Sequence, residues 1–132
     1  MPMTLRVAFE RIDYPTDHRG LVLEPLRAEE FAAQRNAHLV LTAPGCVRGN
    51  HFHREGTEVS VVIGPALVRY RDGDSVVDRT LAAREACRFT FPAGVAHAIQ
   101  NTGEAPMIIV SFNTVEHHRE RPDVVRDVLI EA

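Results

Sequence analysis

Lysine is missing from this sequence, so all fifteen basic residues among its 132 are arginines. Without a lysine amine the chain cannot form a Schiff base, hold pyridoxal phosphate covalently or supply the lysine of a P-loop. No Gly-x-Ser-x-Gly elbow occurs, which removes the usual mark of a serine hydrolase of the α/β type. Cysteine is limited to Cys46 and Cys87, neither in a Cys-x-x-Cys, and two free thiols are expected rather than a disulfide. The opening Met-Pro-Met-Thr-Leu-Arg lacks the basic, apolar and small-residue succession of a secretory leader, so a cytoplasmic location is expected. No apolar run approaches the roughly 20 residues of a membrane span, and no membrane partner is expected. The net charge is −3 with the arginines scattered, which leaves no basic stripe for a phosphate backbone and makes nucleic acid an unexpected partner.

What is present is the composition of an ordinary globular domain, 45% hydrophobic and 25% charged, at a length that suits one domain over residues 1–132. Short runs rich in Val, Ile, Leu, Phe and Thr recur between turn signals, the pattern of an all-β sandwich or barrel. Strands are predicted at Leu5–Ile12, Leu21–Leu26, His38–Thr42, Glu58–Ile63, Ala66–Arg71, Val76–Leu81, Cys87–Phe91, Ala96–Asn101 and Met107–Phe112. Pro44-Gly45, Gly64-Pro65, Asp72-Gly73-Asp74, Pro92-Ala93-Gly94 and Thr102-Gly103 supply the turns, with Asp72-Gly73 a hairpin signal. Ala28–Gln34 reads as a helical turn. Pro122–Glu131 reads as a short C-terminal helix, opened by Pro122-Asp123 with Val124, Val125, Val128 and Leu129 on one stripe.

His51 and His53 are two residues apart, so in an extended segment both imidazoles leave the same face. Glu58 follows the turn Arg54-Glu55-Gly56-Thr57, which returns the chain so that a carboxylate stands beside them. Imidazole with carboxylate suits zinc, iron, manganese, nickel or copper. A lone His-x-His is more often an exposed strand pair, so the surrounding pattern decides. From Gly45 the run Gly-Cys-Val-Arg-Gly-Asn-His-Phe-His-Arg-Glu-Gly-Thr-Glu, continuing to Gly64, resembles the first cupin motif. Residues 86–101, with Pro92-Ala-Gly-Val-Ala-His97-Ala-Ile-Gln-Asn101, resemble the second. One residue fewer than usual separates Glu58 from Gly64, and Ala86 replaces the usual opening glycine; neither departure touches a ligand position. The resemblance implies a double-stranded β-helix, the cupin jelly roll, with one divalent metal held by His51, His53, Glu58 and His97, zinc first among the candidates. His18, His38, His117 and His118 have no motif behind them and are expected as surface or loop residues.

Asp17-His-Arg19-Gly20-Leu-Val-Leu-Glu24 is similar to the Asp-x-Arg-Gly-x-x-x-Glu signature of nucleotide-sugar 3,5-epimerases, which implies that Arg19 and Glu24 hold a nucleotide diphosphate. Arg48-Gly49-Asn50-His51-Phe-His53 resembles the zinc cupin that ends the bifunctional capsular-polysaccharide enzymes and epimerises a 4-keto-6-deoxy UDP-sugar. Those enzymes carry a reductase domain ahead of the cupin, so by this resemblance reduction of the product falls to another protein. Arg48-Gly-x-His51 is also similar to rhamnose-pathway epimerases and 3,4-ketoisomerases, where the histidine is a proton-transfer base. A histidine whose lone pair holds a metal is a poor base, and the presence of Glu58 and His97 favours the ligand role for His51.

The resemblance thus implies a nucleotide-sugar epimerase or isomerase that moves a proton beside a ketone. Arg48 would bind diphosphate or assist the developing enolate, and Tyr70 would donate a proton. A homodimer is implied, its exchanged N-terminal strands bringing Arg19 and Glu24 to the partner's site. Two other classes fit the same ligands: an iron-dependent cupin dioxygenase and a non-catalytic sugar-binding cupin.

Overall fold

The alternating runs form two antiparallel sheets in the computed structural model, which describes residues 7–117 and 120–131. In chain order the elements are β1 (Ala8–Ile12), β2 (Thr16–Asp17), β3 (Gly20–Leu21), α1 (Ala28–Phe31), β4 (Asn36–Thr42), β5 (Val47–His53), β6 (Glu58–Ile63), β7 (Ala66–Asp72), β8 (Ser75–Leu81), β9 (Ala86–Phe91), β10 (His97–Asn101), β11 (Met107–Asn113) and β12 (Val124–Arg126). One sheet runs β1-β9-β6-β11-β4, the other β12-β5-β10-β7-β8, and β2 with β3 makes a separate small hairpin. Two facing sheets with this crossing connectivity are the jelly roll expected from the motifs. Residues 5 and 6 of the first expected strand, and His118, lie outside the described residues.

The core lies between the sheets. Val62 of β6 and Cys87, Phe89 and Phe91 of β9 meet Val68 and Tyr70 of β7, Ile99 of β10 and Ile109 of β11, all essentially without solvent exposure. The other face of β6 and β9 is covered as well, for Val59, Val61 and Arg88 are buried there. Arg88 explains the cover: its guanidinium donates to the carbonyls of Pro25 at 2.8 Å and Glu24 at 3.3 Å and pairs with Glu10 at 2.9 Å. That arrangement overturns the strand expected at Leu21–Leu26. Only Gly20 and Leu21 pair, within the small hairpin, because Pro25 lacks an N–H and the carbonyls of Glu24 and Pro25 are taken by a side chain rather than a ladder.

The C-terminal helix is also overturned. Residues 124–126 form β12, paired antiparallel with β5 through Val124 and His53, Val125 and Phe52, Arg126 and His51. Pairing there satisfies the open edge of β5, and two adjacent valines favour it, so the sheet edge outweighs the helical stripe. The tail beyond is fastened by Asn50. Its side chain accepts from the backbone N–H of Leu129 at 2.9 Å and Ile130 at 3.1 Å and donates to the Ile130 carbonyl at 3.0 Å.

Asn50 also has a positive φ of 58°, beside Gly49 at 86°. The β5–β10 register steps from His51 opposite His97 to Gly49 opposite Ala98, so Asn50 is the extra residue of a bulge. A side chain at position 49 would approach the His97 carbonyl oxygen to 2.7 Å, which is why glycine stands there. Asn50→Ala is expected to lower unfolding free energy by about 3 kcal/mol, from three lost hydrogen bonds at a buried site plus left-handed strain. Asn50→Gly, which loses the bonds without the strain, should cost about 1 kcal/mol less. Urea denaturation of both variants measures the difference.

Candidate metal centre and cavity

The bulge at Gly49-Asn50 precedes the two histidines that β5 sends toward the other sheet. His97 of β10 stands opposite His51, and Glu58 opens β6 in the facing sheet. One ligand atom from each of His51, His53, Glu58 and His97 falls within 4.8 Å of the others. The His51 ring lies edge-on to both of its neighbours, with centroids 5.0 Å from His53 and 5.0 Å from His97. Phe91 stacks on His97 at 4.1 Å and fixes that ring's plane. The structure therefore brings together all four residues expected as ligands.

The hydrogen bonds say which nitrogens are available. His97 Nδ1 lies 3.0 Å from the Val95 carbonyl, which only a protonated Nδ1 can satisfy, so Nε2 turns its lone pair toward the cluster. That Nε2 is 3.1 Å from Glu58 Oε2 but out of line for a hydrogen bond, and it is buried with no such partner. A lone pair set against a carboxylate is the arrangement a cation between them would relieve. Glu58 receives a hydrogen bond from Ser60 Oγ at 2.7 Å, and its Oε1 lies 2.8 Å from His53 Nε2. Burial pushes the Glu58 carboxyl upward, but its interaction with the adjoining His97 ring and the hydrogen bonds from His53 and Ser60 outweigh this and hold it well below the ordinary value. Burial, reinforced by His97, lowers His51 to about 4. Three imidazoles around a carboxylate held ionised fit a divalent metal of the zinc, iron, manganese or nickel kind.

The cluster forms the floor of a cavity of about 310 Å³. Val40, Ile99 and Ile109 make apolar walls, and Arg48, His38 and His117 also line it. Arg48 donates to the Leu41 carbonyl at 2.8 Å and to Thr42 Oγ1 at 3.3 Å. His38 and His117, expected as surface or loop residues, are exposed and also line the cavity, with ring centroids 6.3 Å apart. His38 was findable, since the alternation of β4 puts it on the opposite face from Leu39 and Leu41; His117 follows the last strand of its sheet and carries no periodic signal. His18 is exposed at the β2–β3 hairpin.

Three expected site residues are not part of this cavity. Tyr70 is 2% exposed, packed against Phe89 and Phe91, and its hydroxyl accepts from Arg79 Nε at 3.2 Å, so it serves the core instead of the cavity wall. Arg19 is held by Asp17 at 2.6 Å on the exposed hairpin, and Glu24 is exposed on the segment that precedes α1. Asp123 is the residue that sequence reasoning missed. Read as a helix start, it instead accepts from the backbone N–H of Glu55 at 3.0 Å and Gly56 at 2.9 Å, closing the turn between His53 and Glu58.

The low value of His51 has a sign that can be tested. The unfolded chain protonates this imidazole near pH 6.5, the folded one only near pH 4, so between them the unfolded state holds more protons and is favoured. Glu58 keeps its charge through that window and adds its own loss further into acid. Metal-free protein should therefore lose thermal stability as pH falls from 6.5 to 4, and His51→Gln should flatten the slope. Equal melting temperatures at both ends of the window would contradict this.

Residues 15–125 match the sequence profile described as the polysaccharide biosynthesis C-terminal domain. No curated protein sequence matches the chain. Among solved structures, the capsular polysaccharide assembling protein CapF of Staphylococcus aureus superposes with a TM-score of 0.65 at 22% identity, over 73% of this chain and 27% of its own. The sugar 3,4-ketoisomerase QdtA of Thermoanaerobacterium thermosaccharolyticum, solved in complex with TDP, gives 0.68 at 15% identity over 92% and 88% of the two chains. The dTDP-4-dehydrorhamnose 3,5-epimerase of Sulfolobus tokodaii gives 0.67 at 21% identity over 89% and 77%. These are likenesses of fold. The chain spans 27–35% of the length of the CapF chains it matches.

Proposed function

This chain belongs to the polysaccharide biosynthesis C-terminal domain family, and on that premise we propose that it is a metal-dependent nucleotide-sugar epimerase or isomerase that moves a proton on the carbon beside a ketone. The observation that carries the reading is the convergence of His51, His53, Glu58 and His97 at the floor of an apolar-walled cavity that also has Arg48 and His38 on its lining. A bound divalent ion supplies fixed positive charge where negative charge develops on an oxygen.

The chain's own residues do the rest. Val40, Ile99 and Ile109 exclude water from the face of the sugar, and Arg48 binds the anionic part of the substrate. His51 serves as a ligand, so the proton passes to an imidazole outside the cluster, and His38 is the one on the wall strand. Zinc is the proposed metal. The nucleotide-sugar substrate is supported by the family and by the activities of QdtA and the Sulfolobus epimerase.

A homodimer belongs to the same proposal, with Arg19 and Glu24 serving the partner's cavity, since in one chain they stand apart from their own. Leu39, Leu41 and Ile108 leave an exposed apolar strip on the outer face of β4 and β11 that association would cover. The cytoplasmic location also stands as a proposal; among the described residues no helix is long and apolar enough to cross a membrane.

Elemental analysis of untagged protein should find about one divalent ion per chain, lost when His53 and His97 are both changed to alanine. Metal-free protein whose melting temperature does not respond to zinc, manganese or iron would sink the metal reading. In deuterated water, a UDP- or dTDP-linked 4-keto-6-deoxy sugar should lose the proton NMR signal beside the ketone faster with the protein than in buffer. His38→Gln should slow that exchange by about a hundredfold without changing metal content. No exchange with either nucleotide, together with oxygen uptake by the iron-loaded protein, would replace this reading with a dioxygenase.

A further inference from the structure

His53 is the one ligand whose second ring nitrogen has two rival neighbours. The Asn113 Nδ2 amide lies 3.4 Å from His53 Nδ1, and Asp123 Oδ2 lies 3.6 Å from the same atom, an ion-pair distance rather than a hydrogen bond. Asn113 is oriented by its other end, because its Oδ1 accepts the backbone N–H of Val115 at 2.9 Å, so an N–H₂ faces the imidazole. An amide donor suits an unprotonated Nδ1. His53 then carries its proton on Nε2 and gives it to Glu58 Oε1 at 2.8 Å.

That tautomer cannot bind a metal through Nε2. For Nε2 to offer its lone pair the proton must be on Nδ1, where the Asn113 amide repels it and a carboxylate accepts it. Asp123 is the carboxylate in place. The Arg54 N–H binds its carbonyl at 2.8 Å, and the Glu55 and Gly56 N–H groups bind its two carboxylate oxygens, so it cannot easily turn away. A side chain at position 56 would collide with Asn113 Oδ1 and press on Asp123 Oδ2, so the glycine keeps both neighbours of His53 close.

We propose that Asp123 is a positioning residue for His53, stabilising the Nδ1–H tautomer that metal binding requires, while Asn113 holds the Nε2–H tautomer of the metal-free protein. Loading the site removes the proton from Nε2 and places one on Nδ1, with no net change in the charge of the ring. The inference rests on the reading that the four-residue cluster holds a metal.

The test is calorimetric titration of the metal-free full chain with zinc chloride, paired with long-range nitrogen–proton NMR of the histidine rings. Wild type should bind zinc, with His53 changing from Nε2–H to Nδ1–H and the Nδ1 proton shifted downfield by a carboxylate acceptor. Asp123→Asn should bind at least about tenfold more weakly, with that proton moved upfield and the metal-free histidine spectrum unchanged. Wild type that binds no zinc would defeat the metal reading and this proposal with it. Wild type that binds zinc while Asp123→Asn binds within about threefold, or keeps the same Nδ1 proton shift, would overturn the proposal alone. Because Asp123 also closes the turn, an Asp123→Asn protein that fails to fold hands the decision to zinc-loaded wild type: a downfield Nδ1 proton on His53 supports the proposal, and its absence overturns it.

Discussion

A carboxylate buried opposite three imidazoles sets the terms for this molecule. Glu58 belongs to one sheet, and His51, His53 and His97 belong to the other, so the cluster exists only because the sheets face each other at the usual separation of about 10 Å. Removing an ionised carboxylate from water is costly unless it is hydrogen-bonded or paired. Ser60 and His53 provide part of that compensation, and the lone pair of His97 Nε2 is left without a hydrogen-bond partner. The polar floor is continuous with an otherwise apolar core. Phe91 belongs to both, stacking on His97 on one side and on Phe89, at 5.7 Å, on the other.

The local backbone is shaped around that floor. The Gly49-Asn50 bulge lets β5 approach the His97 carbonyl, and the same asparagine ties down the tail that follows β12. One residue thus couples the strand bearing two of the clustered histidines to the segment that follows β12. That segment returns Asp123 to the turn between His53 and Glu58, so the C-terminal region supports the site without contributing a ligand to the cluster. Fold stability and site geometry share the same hydrogen bonds here, which is why a change at Asn50 or Asp123 should be felt in both.

The cavity itself divides the labour by distance from the floor. Imidazoles and carboxylate are deepest, aliphatic side chains form the walls, and Arg48 is held by the Leu41 carbonyl and Thr42 hydroxyl of the neighbouring strand end. The Arg19 hairpin lies elsewhere, its arginine paired with Asp17 and facing solvent.

Strand positions from Glu58 to Phe112 were legible within a residue or so, because the runs are rich in β-branched, aliphatic and aromatic residues and most are bounded by Gly, Pro or Asp turns whose chemistry is local. The four residues of the cluster were legible as a group too, two from the period of a strand and all four from paired motifs with fixed spacing. Elsewhere local pattern misled. Leu21–Leu26 has the composition of a strand but lost its ladder to the Arg88 guanidinium, and Val124–Leu129 has the period of a helix but met an open sheet edge that offered hydrogen bonds at once. Tyr70, expected as a proton donor, sits on an inward-facing strand position, and depth along the strand placed it in the core. Asp123 and Asn113 touch His53 from 70 and 60 residues away, and nothing in the spacing of residues encodes such a meeting. Periodicity and motif spacing are properties of a short stretch and can be read there; which distant group completes a ligand, covers a sheet face or pairs an edge depends on competition among contacts that exist only once the two sheets have closed.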